Sequence, residues 1–141
     1  MSLLLLLSGQ AQWQNTLVNT AKRLATEGHY EVAVVTAIMA CETATERAFA
    51  YWFRKRGIDD LEIVTTDLFP SFSLSNEKIL RYYIAISGDK INKAVFWSAY
   101  KSTATLRGNI IHRGNRANQI QADDAIAASI AFTSHVSQAT K

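Results

Sequence analysis

Residues 30–56 read YEVAVVTAIMACETATERAFAYWFRKR, and Gly57 follows. The stretch has no Gly or Pro and is rich in alanine, so it predicts one long helix from Tyr30 to Arg56 that stops at the glycine. It is apolar on most sides, as expected of a helix at the centre of a bundle. At 100° per residue Val35, Ile38, Phe49, Trp52 and Phe53 form one stripe, and Glu42 falls in the middle of it. A lone carboxylate there is costly, so Glu42 is expected to find a cation or an interface. Glu46 lies one turn on, nearer the edge of the stripe.

Working outward, Trp13, Leu17, Ala21 and Leu24 recur at helical spacing and predict a first helix over residues 10–27, ended by Gly28. Residues 58–73 read as an irregular connection, broken by Asp59-Asp60, Thr65-Thr66 and Pro70, with Ile63-Val64 a short strand or part of a packed loop. Ser75 is a plausible N-cap for a third helix, with Glu77 in its first turn and Ile79, Leu80, Tyr83 and Ile84 on its apolar face. Gly88 ends that helix, and Asp89 is expected to cap a fourth over residues 90–111. Gly114 marks a turn. A fifth helix is expected over residues 123–138, with Ile126, Ile130 and Thr133 pointing inward. The fold class is therefore all-α: an antiparallel four- to five-helix bundle.

The 141 residues suit one domain; 48% are hydrophobic and 19% charged, which excludes disorder. Residues 10–141 read as that domain. Residues 1–9 read as a separate apolar segment whose five leucines are too few to span a membrane, and Met1-Ser2-Leu3 reads equally as a cloning remnant. The single cysteine, Cys41, permits no internal disulfide and reads as a buried core thiol, which fits a cytoplasmic protein. His29, His112 and His135 are widely spaced, so no metal site and no cofactor is expected. His29 and His135 have no visible partner. The net charge of +3 is compatible with a polyanion such as RNA but is shared by many basic domains.

One stretch is chemically loaded: Leu106-Arg107-Gly108-Asn109-Ile110-Ile111-His112-Arg113-Gly114. It closes an amphipathic helix just before a glycine turn and a final helix. It resembles the Arg-x(4–6)-His motif of the HEPN superfamily, with apolar residues before the His and a basic-Gly pair after it. The helical order is similar too, with a glutamate embedded in the long second helix. Many members of that superfamily place a polar residue directly after the Arg. Here Gly108 takes that place and Asn109 comes one later.

The resemblance implies metal-independent RNA cleavage at a composite site between two subunits, as in a toxin or defence effector. Arg107, His112 and Asn109 would be its catalytic residues, Glu42 and Glu46 its supporting carboxylates, and Arg113 and Arg116 its RNA contacts. Cleavage by a ribose 2′-OH builds negative charge on phosphorus oxygens, which a guanidinium binds without losing its proton. An imidazole, with an ordinary pKa near 6.5, can act as acid or base. The alternative within the resemblance is a non-catalytic module that binds nucleotide, RNA or a nucleotidyltransferase-type antitoxin.

Residues five apart on a helix point about 140° from each other. Arg107 and His112 are therefore expected to meet through loosening of the helix near Gly108 together with a two-fold partner. Glu42 is expected to pair with Arg107, either orienting it or as a purely structural ion pair. Arg54-Lys55-Arg56 reads as an exposed helix end rather than an RNA track, and Tyr82-Tyr83 and Phe96-Trp97 as core rather than base-stacking aromatics.

Overall fold

The computed structural model describes residues 3–141, with side chains from residue 12 onward. Among them the regular structure is entirely helical: α1 Leu3–Thr26, α2 Tyr30–Lys55, α3 Asp60–Leu68, α4 Glu77–Ser87, α5 Trp97–Arg113 and α6 Gln119–Ala139, with one 3₁₀ turn at Ile91–Lys93. No described helix is long and apolar enough to cross a membrane. Helix α1 extends back to Leu3, as leucine's high helix propensity favours. How the side chains of Leu3–Leu7 pack lies outside the described residues.

Helix α2 is the axis, as its sequence predicts. It packs on α1, α5 and α6 along its length and on α3 and α4 towards its C-terminal end. Ala33, Ala37, Ala40, Ala44 and Ala48 are all fully buried, and these small side chains let the neighbouring backbones come close. The other part of the core is aromatic. Phe49 meets Phe53, Phe69, Phe72 and Tyr83, and Tyr100 stacks on Phe132 with ring centroids 4.6 Å apart. Cys41 is buried among them. Of the paired aromatics, Tyr83 is core and Phe96 and Trp97 pack against it, whereas Tyr82 is exposed although its ring touches Phe49.

Several boundaries differ from expectation, each for a local reason. Residues 60–68 are a helix, not an irregular connection or strand, because Asp60 and Glu62 sit in the first turn, where the helix dipole favours acids. Asn76, not Ser75, caps α4, accepting from the Lys78 and Ile79 N–H groups. Asp89 caps nothing; the chain turns through Ile91–Lys93 and α5 starts only at Trp97. Helix α6 starts four residues early because Asn118 and Gln121 form a reciprocal capping box. Ile130 is exposed, not inward. At the end of α5, Gly114 has φ +66° and its N–H returns to the Ile110 carbonyl at 3.1 Å, a left-handed stop that a side chain would strain.

Removing the Asn118 cap with Asn118→Ala should cost about 1 kcal/mol, and truncating the buried ring with Phe132→Ala about 3–5 kcal/mol. Urea unfolding followed by circular dichroism checks both, and comparable losses would show that Tyr100–Phe132 packing is not a principal core contact.

Candidate functional site at the seam of α2 and α5

Helices α2 and α5 run antiparallel, with two ion pairs marking the register. Arg116 Nε lies 3.0 Å from Glu31 Oε1 at one end, and Arg107 Nη1 lies 3.6 Å from Glu42 Oε1 further along. The expected pairing of Glu42 with Arg107 is thus present. It is a charge contact and not a fork of hydrogen bonds: Glu42 Oε1 and Arg107 Nε are both buried and neither has a hydrogen-bond partner. The Glu42 side chain is 20% exposed and that of Arg107 31%. Burial raises the Glu42 carboxyl above its ordinary value, and the Arg107 guanidinium opposes this without cancelling it.

The remaining expected residues are spread more widely. Helix α5 is continuous from Trp97 to Arg113, so the expected loosening at Gly108 does not occur. Gly108 is held within regular helix, and a Cβ there would meet nothing within 4 Å. With the helix intact, Arg107 and His112 diverge by about 140°. Arg107 faces α2, whereas His112 is exposed in the last turn. Asn109 is half-buried, and its carbonyl accepts from the Asn115 N–H at 3.2 Å, tying the loop back to the helix. Arg113 is exposed, and Arg116 is engaged by Glu31. Glu46 does not join Glu42. It faces Glu62 of α3 across a cavity of about 170 Å³ lined also by Phe49, Phe53 and Phe72, and burial and the Glu62 charge both raise its carboxyl. A groove of about 490 Å³ between α5 and α6 is lined by Phe96, Thr103, Leu106 and Asp124, and includes neither Arg107 nor His112.

A second polar cluster was not legible as a pair. His135, expected to lack a partner, places Nε2 2.9 and 3.0 Å from the two Asp89 carboxylate oxygens. Tyr83 Oη donates to Asp89 Oδ2 at 2.7 Å, and the Asp89 N–H donates to Ser87 Oγ at 3.0 Å. Burial and the Asp89 carboxylate both raise the Tyr83 phenol pKa. The available signal was the position of His135 between Phe132 and Val136 on the inward face of α6. His29 lies 4.0 Å from Glu27 and is largely exposed. Arg47, also unforeseen, donates to Ser137 Oγ at 3.1 Å while its buried Nε has no partner. Compared with protein-family models, with curated proteins and with solved structures, the chain matches none.

The raised Glu42 carboxyl has a definite sign in stability. The folded chain holds that proton more tightly than the unfolded chain does. The stabilisation is therefore complete below the ordinary value of 4.5 and is lost as pH rises through the raised folded value. Glu42→Gln should flatten this part of the profile. Arg107→Met should steepen it and cost about 1–2 kcal/mol at neutral pH, because the carboxylate keeps its burial and loses its countercharge. Urea midpoints between acid and neutral pH test this, and superimposable profiles for the wild type and Glu42→Gln would refute the assignment.

Proposed function

We propose that the chain is a HEPN-type, metal-independent endoribonuclease that works as a homodimer, a hydrolase of the toxin or defence kind. The observation that carries this reading is the half-buried Arg107, held against Glu42 with its Nε unpartnered, five residues before an exposed His112 on the same helix. A guanidinium held against Glu42 while its side chain keeps 31% of its surface exposed suits binding of phosphate oxygens as charge builds on them. An exposed imidazole suits transfer of a proton from the attacking ribose 2′-OH or to the departing 5′ oxygen.

The intact α5 favours assembly of such a site between two subunits. One subunit cannot turn both groups onto one phosphate, so Arg107 of one copy would work with His112 of the other across a two-fold axis. Asn109, on the same stretch, would be the third catalytic residue, and Arg113, exposed beside His112, would contact the RNA backbone. Arg116 would do so only by leaving Glu31. The divergence of Arg107 and His112 also favours a second reading, a non-catalytic module of the same type that binds RNA, nucleotide or a nucleotidyltransferase-type antitoxin.

Purified protein should cleave mixed RNA in EDTA. Arg107→Ala and His112→Ala should each lose about 100-fold or more in rate. Mixing the two inactive variants should restore about a quarter of wild-type activity, since half of the dimers then carry one intact Arg–His pair. Failure of the mixture to recover, with both variants folded and exchanging subunits, would remove the trans-assembled site. RNA binding without turnover by the wild type would select the module.

A further inference from the structure

The chain has a net charge of +3, yet between Arg56 and Lys78 it contains Asp59, Asp60, Glu62, Asp67 and Glu77 and no Lys, Arg or His. The centre of this acidic stretch is α3, whose only buried residue is Thr65. Its apolar side chains are left outside the bundle. Leu68 is 73% exposed, Val64 50% and Leu61 42%. At 100° per residue these three fall within about 60° of one another, at the i, i+3, i+7 spacing by which one helix grips another. Asp60 and Asp67 border the stripe within about 60° of Val64. Among the described residues neither aspartate is in an ion pair.

We propose that α3 is a docking surface for a basic amphipathic helix of a partner protein. The partner would seat apolar side chains on Leu61, Val64 and Leu68 and place Lys or Arg against Asp60 and Asp67. Charge decides the occupant. A second copy approaching α3 with its own α3 would set these carboxylates against their like. RNA and anionic lipid surfaces are polyanions and are repelled in the same way. A cationic helix is repelled by the protein as a whole and attracted only locally, which focuses binding on this stretch. The surface does not rest on the nuclease reading, since neither Arg107 nor His112 contributes to it.

The probe is a labelled synthetic helix of roughly 18 residues, long enough to fold, with Leu at i, i+3, i+7 spacing and Lys elsewhere. Its control carries Glu in place of every Lys. Fluorescence anisotropy with the full chain should show salt-sensitive binding of the Lys helix and none of the Glu helix. Leu68→Asp and Asp67→Lys should each weaken binding at least tenfold, while Ile63→Ser, on another side of α3, should leave it unchanged. All three side chains are exposed, so unchanged urea midpoints keep loss of fold apart from loss of binding. Four results would overturn the proposal: no binding of the Lys helix, equal binding of the Glu helix, indifference to Leu68→Asp and Asp67→Lys, or sedimentation showing that Leu68→Asp dissolves a self-associated species, which would make a second copy the occupant.

Discussion

The close approach of helices along the alanine side of α2 is the constraint from which the remaining geometry follows. Ala33, Ala37, Ala40, Ala44 and Ala48 have no exposed surface, so α6 can pack against α1 and α5 as well as against α2. Larger residues at those positions would push the neighbours outward and open the aromatic part of the core around Phe49 and Tyr100. Because α2 is enclosed on this side, a charge in its apolar stripe is half-buried, whereas Glu46 one turn on is exposed. Glu42 is the charge that falls in the stripe, and α5 answers it with Arg107. The ion pair at the seam is thus a product of the same packing that makes α2 central.

The two polar clusters differ in how fully they are satisfied. Around Asp89 each carboxylate oxygen has a partner, the backbone N–H is bonded, and both the phenol and the imidazole are engaged. Such a closed network ties the turn after α4 to α6 and rigidifies both. At the seam, Glu42 Oε1 and Arg107 Nε are buried with unused hydrogen-bonding capacity. Buried polar atoms in native folds are rarely left so, and the exceptions call for an explanation. Here the cause is the packing itself: Arg107 Nη1 reaches Glu42 Oε1 only as a 3.6 Å charge contact, and the two helices close over the atoms beside it.

What could be read beforehand was whatever depends on short-range pattern. The extent of α2, the stop at Gly114 and the need of Glu42 for a cation all follow from periodicity or from the cost of an unpaired carboxylate. The loosening expected at Gly108, inferred from the need to bring Arg107 and His112 together, does not occur, because a glycine in mid-helix costs only about 1 kcal/mol against alanine. Apolar neighbours Leu106 and Ile110 pack against the buried side chains around Ala33, Val34 and Ala37 and hold the turn together. Asp59-Asp60 and Thr65-Thr66 misled because residues that break a helix interior are tolerated at its start or when a hydroxyl bonds back, as Thr66 does to the Glu62 carbonyl at 2.9 Å. The pairing of Asp89 with His135 spans 46 residues, and no local pattern encodes a contact of that reach.

Cys41, the chain's lone thiol, stands 1% exposed in the middle of the core, with its own carbonyl accepting from the Thr45 hydroxyl at 2.9 Å. Burial among apolar side chains holds it protonated, and only the thiolate is a good nucleophile. Alkylating reagents therefore reach a reactive sulfur only when α2 parts from its neighbours. The protein carries a silent clock at its own centre, one that advances with each concerted opening and ignores the fraying of its ends.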